Sequence, residues 1–308
     1  MKTVVTGNIF LRQCLLVLLT IVANAYGKIK TSENVDRKTY RCVFLHGIGY
    51  LVSGPANSSD VEGYWGGDDV VRENTPQCSS YVFAHQDTVH KAWDDLDLVQ
   101  AFCDAAINGQ DKKAIENTLV FTHSFGNLVF ARGLDLGICL MSNSSKWISM
   151  SAPWKGSKAA ALVSNMCLHK HIFDKILKKL ADLLHWEYCQ PNGQPNAAYT
   201  SLLPDYPGFE ANIVVAERFV SYGLCGTSAW GITSEYSPLL EGLSKLVDYE
   251  SDNDAMVAVP SCTLSSKPYG STYDRQFLKT DINHVDGTGR TGSLHKSVVR
   301  QWIYNIAN

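Results

Sequence analysis

Leu119-Val120-Phe121-Thr122-His123-Ser124-Phe125-Gly126 is the stretch whose reading decides the fold. Residues 119–122 form a short apolar run of the kind that makes a strand buried on both faces. From Gly126 the pattern changes to Leu, Val, Phe and Ala at helical spacing, fading near Gly133. A sharp strand–turn–helix junction lifts its middle side chain to the top of a sheet. It needs small residues two positions away on each side, because the strained turn leaves no room for bulk. Gly126 fills one of these positions. Thr122 stands where glycine is usual and is small enough to fit. The junction, Thr122, His123, Ser124 and Gly126 together, therefore predicts the Ser124 hydroxyl at the tip of a strand, in the position of a nucleophile. A serine that only caps a helix is the alternative; the buried run ahead of it argues against that reading.

Working outward, strand-like and helix-like segments alternate. Tyr40–Leu45 reads as a buried strand ending at His46-Gly47, Ser80–Ala84 as a second, and Trp147–Met150 as a further one after the junction. Between them Trp93, Leu96, Leu98, Val99, Phe102 and Ala106 recur at helical spacing. Alternation of this kind predicts right-handed crossovers and a mostly parallel central sheet with helices on both faces, an α/β fold. After Pro153 the pattern breaks. Residues 155–211 read as a helical and then irregular cap or lid inserted over the C-terminal edge of the sheet. Its best helix runs from about Lys170 to Leu184, with Phe173, Ile176, Leu177, Leu180 and Leu184 on one face. A lid that touches lipid transiently and an ordinary surface helix share that pattern. The sheet is expected to resume near Arg218–Tyr222, and a last helix to cover about Leu294–Ile306.

A serine nucleophile needs a base, an acid to orient the base, and donors for the oxyanion. His284 lies in the polar loop Asp281-Ile282-Asn283-His284-Val285-Asp286-Gly287, just before the last helix, and is the best-placed base. His295 falls within that helix; His169, His171 and His185 fall within the cap. The acid candidates are Asp248, Glu250, Asp252 and Asp254. Asp254, at the head of Ala255-Met256-Val257, is favoured, with Asp252 second. The oxyanion donors are expected to be the backbone N–H of Phe125 and that of Ile48, in the loop His46-Gly47-Ile48-Gly49 after the first strand. Gly47 and Gly49 would give that loop its freedom to turn an N–H inward.

Taken in order, the strand-His-Gly end, the Ser124 junction, the Asp254 segment and the His284 loop resemble the α/β-hydrolase superfamily, and most of all its lipase and esterase branch. Bacterial lipases of that branch carry an Asp-Gly-Leu-Val acid loop followed by an Asn-His-x-Asp base loop. Asp254-Ala255-Met256-Val257 and Asn283-His284-Val285-Asp286 match it, with Ala255 in place of glycine. The resemblance implies hydrolysis of a small-molecule or lipid acyl ester through an acyl-enzyme, by a Ser124–His284–Asp254 triad. It also makes Asp286 the counterpart of a structural calcium ligand. One carboxylate is far short of the roughly six to eight oxygens that calcium takes, so no cofactor is expected beyond that candidate. The family's disulfide near the acid loop suggests that Cys225 or Cys262 is paired. A non-catalytic binding protein on the same scaffold, an acyltransferase and a thioesterase are the competing readings; Thr122 and Ala255 are the departures that favour the first of them.

The rest of the composition bounds the setting. The chain has 308 residues, 45% hydrophobic and 19% charged, which suits one large α/β domain. Its formal charge of −3 lacks the basic footprint of a nucleic-acid binder. Lys2 and Arg12, the apolar run Leu15–Val22 and the small-x-small triplet Ala23-Asn24-Ala25 have the layout of a secretory signal over residues 1–27. The apolar run is shorter than the ~20 residues of a membrane span. The expected mature domain is therefore residues 28–308, exported to the extracellular space. Cys14 lies in the leader, and eight cysteines remain: 42, 78, 103, 139, 167, 189, 225 and 262. An even number in an exported chain points to disulfides, whose pairing the sequence does not give. A buried thiol is the alternative, Cys103 first. No CxxC spacing suggests zinc. Asn57-Ser58-Ser59 and Asn143-Ser144-Ser145 are glycosylation acceptors by pattern.

Overall fold

The computed structural model describes residues 40–57, 63–107, 109, 113–169, 187–293 and 295–307. The leader read over residues 1–27 and the helix read over 170–184 lie outside the described residues. Six strands form one sheet: β1 (Tyr40–Leu45), β2 (Cys78–Phe83), β3 (Thr118–His123), β4 (Lys146–Met150), β5 (Val220–Gly226) and β6 (Phe277–Thr280). They lie in the order β2-β1-β3-β4-β5-β6, and every neighbouring pair is parallel. Parallel neighbours cannot be joined by a hairpin, so each connection crosses a face of the sheet. All six residues of β3 are buried, which is why its apolar run is continuous rather than alternating.

Each strand still deals its side chains to two faces. Val43 and Leu45 of β1 join a core with Leu98, Val99 and Phe102 of α2 (Leu96–Ile107), Phe130 of α3 (Gly126–Asp135) and Val215 of α6 (Phe209–Phe219). Cys42 and Phe44 face the opposite core, with Val71 of α1 (Asp68–Asn74) and Val299, Trp302 and Ile303 of α9 (Val298–Ala307). Helices therefore cover both faces. Fully burying side chains of this size is worth roughly 1.5–3 kcal/mol each, so the sheet is held from two sides.

The segment after β4 contributes α4 (Lys158–His169) and α5 (Ala197–Ser201). Val163 and Tyr199 pack there with Leu240 and Leu243 of α7 (Ser237–Val247). Two expectations change. Arg218 and Phe219 end helix α6, and the strand begins at Val220, whose N–H still closes the last helical turn on Ala216 O. Cys103 is no free thiol: it bonds to Cys139, and Gly133 leaves the room, since a Cβ there would stand 2.5 Å from Cys103 Sγ. The other disulfides are Cys42–Cys78, which ties β1 to β2, Cys167–Cys189, and Cys225–Cys262. The last joins β5 to helix α8 (Val259–Cys262), just past the acid segment. Among the described residues no helix is long and apolar enough to cross a membrane.

Candidate active site

The C-terminal ends of the strands carry the residues singled out above. Ser124 follows β3 directly and has φ +53°, a left-handed backbone that a non-glycine residue adopts only at a cost of about 1–3 kcal/mol. Two features hold the turn in place. Ser124 N–H donates to Met150 O at 2.9 Å, and Asn127 Nδ2 donates to the carbonyls of Ser124 at 3.0 Å and Met150 at 3.1 Å. A Cβ at Gly126 would stand 2.4 Å from His46 O, so the second small position admits nothing larger. Thr122, at the first, is completely buried. Its Oγ1 accepts Trp147 Nε1–H at 2.6 Å and donates to Asn127 Oδ1. The hydroxyl that departs from the usual glycine is thus part of the brace under the turn.

Ser124 Oγ lies 2.8 Å from His284 Nε2, and His284 Nδ1 lies 2.8 Å from Asp254 Oδ2. With the carboxylate accepting at Nδ1, the remaining ring nitrogen is the acceptor for the serine hydroxyl. Asp254 is 1% exposed. Its other oxygen accepts Met256 N–H at 3.0 Å and Val257 N–H at 2.7 Å. The buried carboxylate is therefore satisfied on both sides. The acid and base loops are also joined through the backbone, His284 N–H donating to Asp254 O at 2.8 Å. Asp248, Glu250 and Asp252 are exposed and take no part. His295 is exposed as well. His171 and His185 lie outside the described residues.

The loop after β1 packs over the same point. Among the described residues neither Ile48 N–H nor Phe125 N–H donates a hydrogen bond, while the neighbouring Gly47 N–H donates to Tyr64 Oη at 3.0 Å. Gly47 supplies room rather than an unusual turn: a Cβ there would stand 2.7 Å from Tyr64 Oη and 2.8 Å from Ser124 Cβ. The bond to Tyr64 starts a relay that the sequence did not reveal. Tyr64 Oη donates to His123 Nδ1 at 2.6 Å, and His123 Nε2–H donates to the His284 carbonyl at 3.0 Å. Burial pushes the Tyr64 phenol up to about 12, so it stays protonated. Burial, reinforced by His284, holds His123 well below the ordinary histidine value, so its ring stays neutral with one donor and one acceptor. Burial also lowers His46 to about 4. Its Nδ1–H donates to Gly47 O at 2.8 Å and its Nε2 accepts Gln86 N–H at 3.2 Å, both bonds of the neutral ring.

Asp286 is buried under the base loop. One oxygen accepts Ile232 N–H at 2.8 Å and Asn283 N–H at 3.0 Å, the other Thr291 Oγ1–H at 2.6 Å. Both oxygens already hold protein donors, so the residue pins its loop, and a cation there would have to displace those bonds. Among the described residues no cluster of three or more His, Cys, Asp or Glu side chains is arranged to hold a metal.

Ser124 opens into a cavity of about 580 Å³. Its wall is largely apolar, with Leu51, Val163, Leu202, Leu240, Met256 and Val257 among its residues. The size and lining are those of a small-molecule site.

No protein-family model matches the chain, and no curated protein sequence matches it. Among solved structures, the lipase BlEst2 of Bacillus licheniformis in its mature form is similar with a TM-score of 0.54 and 16% identity, over 84% of this chain and 90% of that one. The metagenomic carboxyl esterase MGS0156 is similar with a TM-score of 0.50 and 14% identity, over 88% of this chain and 75% of that one. Likeness at such low identity concerns the fold: the chain has the α/β-hydrolase fold.

Proposed function

We propose that this protein is an exported serine hydrolase of carboxylic esters with an apolar acyl group. The observation that carries the reading is the unbroken line Ser124–His284–Asp254, two hydrogen bonds of 2.8 Å each, opening into an apolar cavity. Ser124 Oγ attacks the acyl carbon while His284 Nε2 takes its proton. Asp254 holds the imidazole in the required tautomer and stabilises the imidazolium that forms. The N–H groups of Phe125 and Ile48, without hydrogen-bond acceptors among the described residues, receive the oxyanion. Collapse expels the alcohol, which takes the proton from His284. A water then repeats the sequence on the acyl-enzyme and releases the acid. Four disulfides and the leader-like residues 1–27 support export.

The test is labelling with a serine-directed fluorophosphonate, together with turnover of 4-nitrophenyl esters of rising chain length. Native protein is expected to label and to turn over, and folded Ser124→Ala to do neither. A folded native protein that stays unlabelled and inert would overturn the reading in favour of a binding protein.

A further inference from the structure

The wall of the cavity beside Ser124 is unusual in its charge. Acids outnumber bases in the chain, 30 to 27, yet no aspartate or glutamate is among the described lining residues, and Arg290 is the single lysine or arginine there. Its guanidinium carbon stands 4.9 Å from the ring centre of Tyr236 and 5.8 Å from that of Tyr64. Its stem is fixed too: a Cβ on Gly66 would be 2.8 Å from Arg290 Cβ. The head group itself is almost unspent. Nη1 donates one long bond of 3.4 Å to Tyr64 O, and Nε is buried with no hydrogen-bond partner among the described residues. Among the described residues Arg290 forms no ion pair. Asp286 feels its charge, but that carboxylate is taken up by Thr291, Asn283 and Ile232.

A cation beside two aromatic rings, its Nη groups spending only one long bond among the described residues and its side chain lining an apolar cavity, is a receptor for a planar or tetrahedral oxyanion. We infer that Arg290 reads the substrate: the ester cleaved at Ser124 carries an oxyanion beside its apolar acyl group. That chemistry is shared by a phospholipid phosphate and a free carboxylate. The largely apolar lining lowers the local polarity, which strengthens the pairing. The inference rests on the ester-hydrolase reading above and narrows its substrate class.

Three esters of one acyl chain test it: dihexanoyl phosphatidate, hexanoyl glycolate and the neutral dihexanoylglycerol, all below their micelle concentrations. The quantity read is the ratio of kcat/KM for each charged ester to that for the neutral one. Native protein is expected to favour a charged ester by about tenfold or more. Arg290→Met should bring the ratio to one or below, and Arg290→Lys should hold it above one. The ester with the larger ratio identifies phosphate or carboxylate as the source. A native ratio of one or less, or a ratio that Arg290→Met leaves unchanged, overturns the inference. Binding of the phosphatidate to Ser124→Ala, with and without Arg290→Met, reads the anion site apart from turnover. A tenfold loss of affinity supports the inference and equal affinities overturn it. Failure of native protein to cleave any of the three counts against the hydrolase reading alone.

Discussion

The ring of His123 reaches the backbone carbonyl of His284 at 3.0 Å. The residue just before the proposed nucleophile thus holds the residue that carries the proposed base, across 161 positions of sequence. The other side of the same ring accepts from Tyr64, which accepts from Gly47 in the loop after β1. One neutral imidazole therefore sets the spacing between the base and the backbone expected to hold the oxyanion.

Removing the phenol hydroxyl should show what that spacing is worth. Tyr64→Phe leaves Gly47 N–H and His123 Nδ1 unpaired in a buried setting, a cost of about 1–3 kcal/mol for each group. Urea unfolding is expected to show a loss of that order. The kcat for a short neutral ester should fall about tenfold with KM little changed, because the displaced groups act in the transition state. Native kcat in a folded Tyr64→Phe protein would remove the relay from the mechanism.

Stability should fall in mild acid for a specific reason. His46 is held at about 4 by burial, against an unfolded value near 6.5. Between those two values the unfolded chain binds the proton and the folded one does not, so folding loses free energy as pH falls. The contribution is fully present above about pH 6.5 and declines toward pH 4, by roughly 3 kcal/mol. His46→Asn keeps a donor near Nδ1 and removes the titration. Thermal unfolding across this range should therefore be less pH-dependent in the variant; parallel curves would show that His46 is not the titrating group.

Restoring the commoner residue at the turn is expected to do harm. Thr122→Gly would strand Trp147 Nε1 and the Asn127 side chain, both bonded to the threonine hydroxyl, and would place glycine in a buried strand. A loss of about 2–4 kcal/mol in denaturant unfolding is expected. A variant as stable as native protein would show that Thr122 only fills space.

Position 255 should behave in the opposite way. Ala255 has φ +81°, a conformation that costs an L-residue free energy and glycine almost none. Ala255→Gly is expected to stabilise the fold by about 1 kcal/mol, with Asp254 still bonded to His284. Differential scanning calorimetry reads the shift; a lower Tm would mean that the buried methyl contributes more than the strain costs.

The legible part of this protein was local. A continuous apolar run, a small residue at position 126 and a helical repeat after it announce the Ser124 junction within a dozen residues, because sterics and periodicity act over that range. The acid and base regions are read by the chain order that the resemblance to the α/β-hydrolase superfamily implies. Sequence ranked Asp254 first of four carboxylates, and its burial against β5 and the His284 loop sets it apart from the exposed Asp248, Glu250 and Asp252. Tyr64 and Arg290 carried no signal, since nothing near them in the chain indicates that one meets His123 and the other faces the cavity. Cysteine pairing and the start of β5 were undetermined too, because they depend on which helix packs over which strand. Short-range backbone chemistry wrote the turn, and only the closing of distant segments over the sheet decided which side chains surround it.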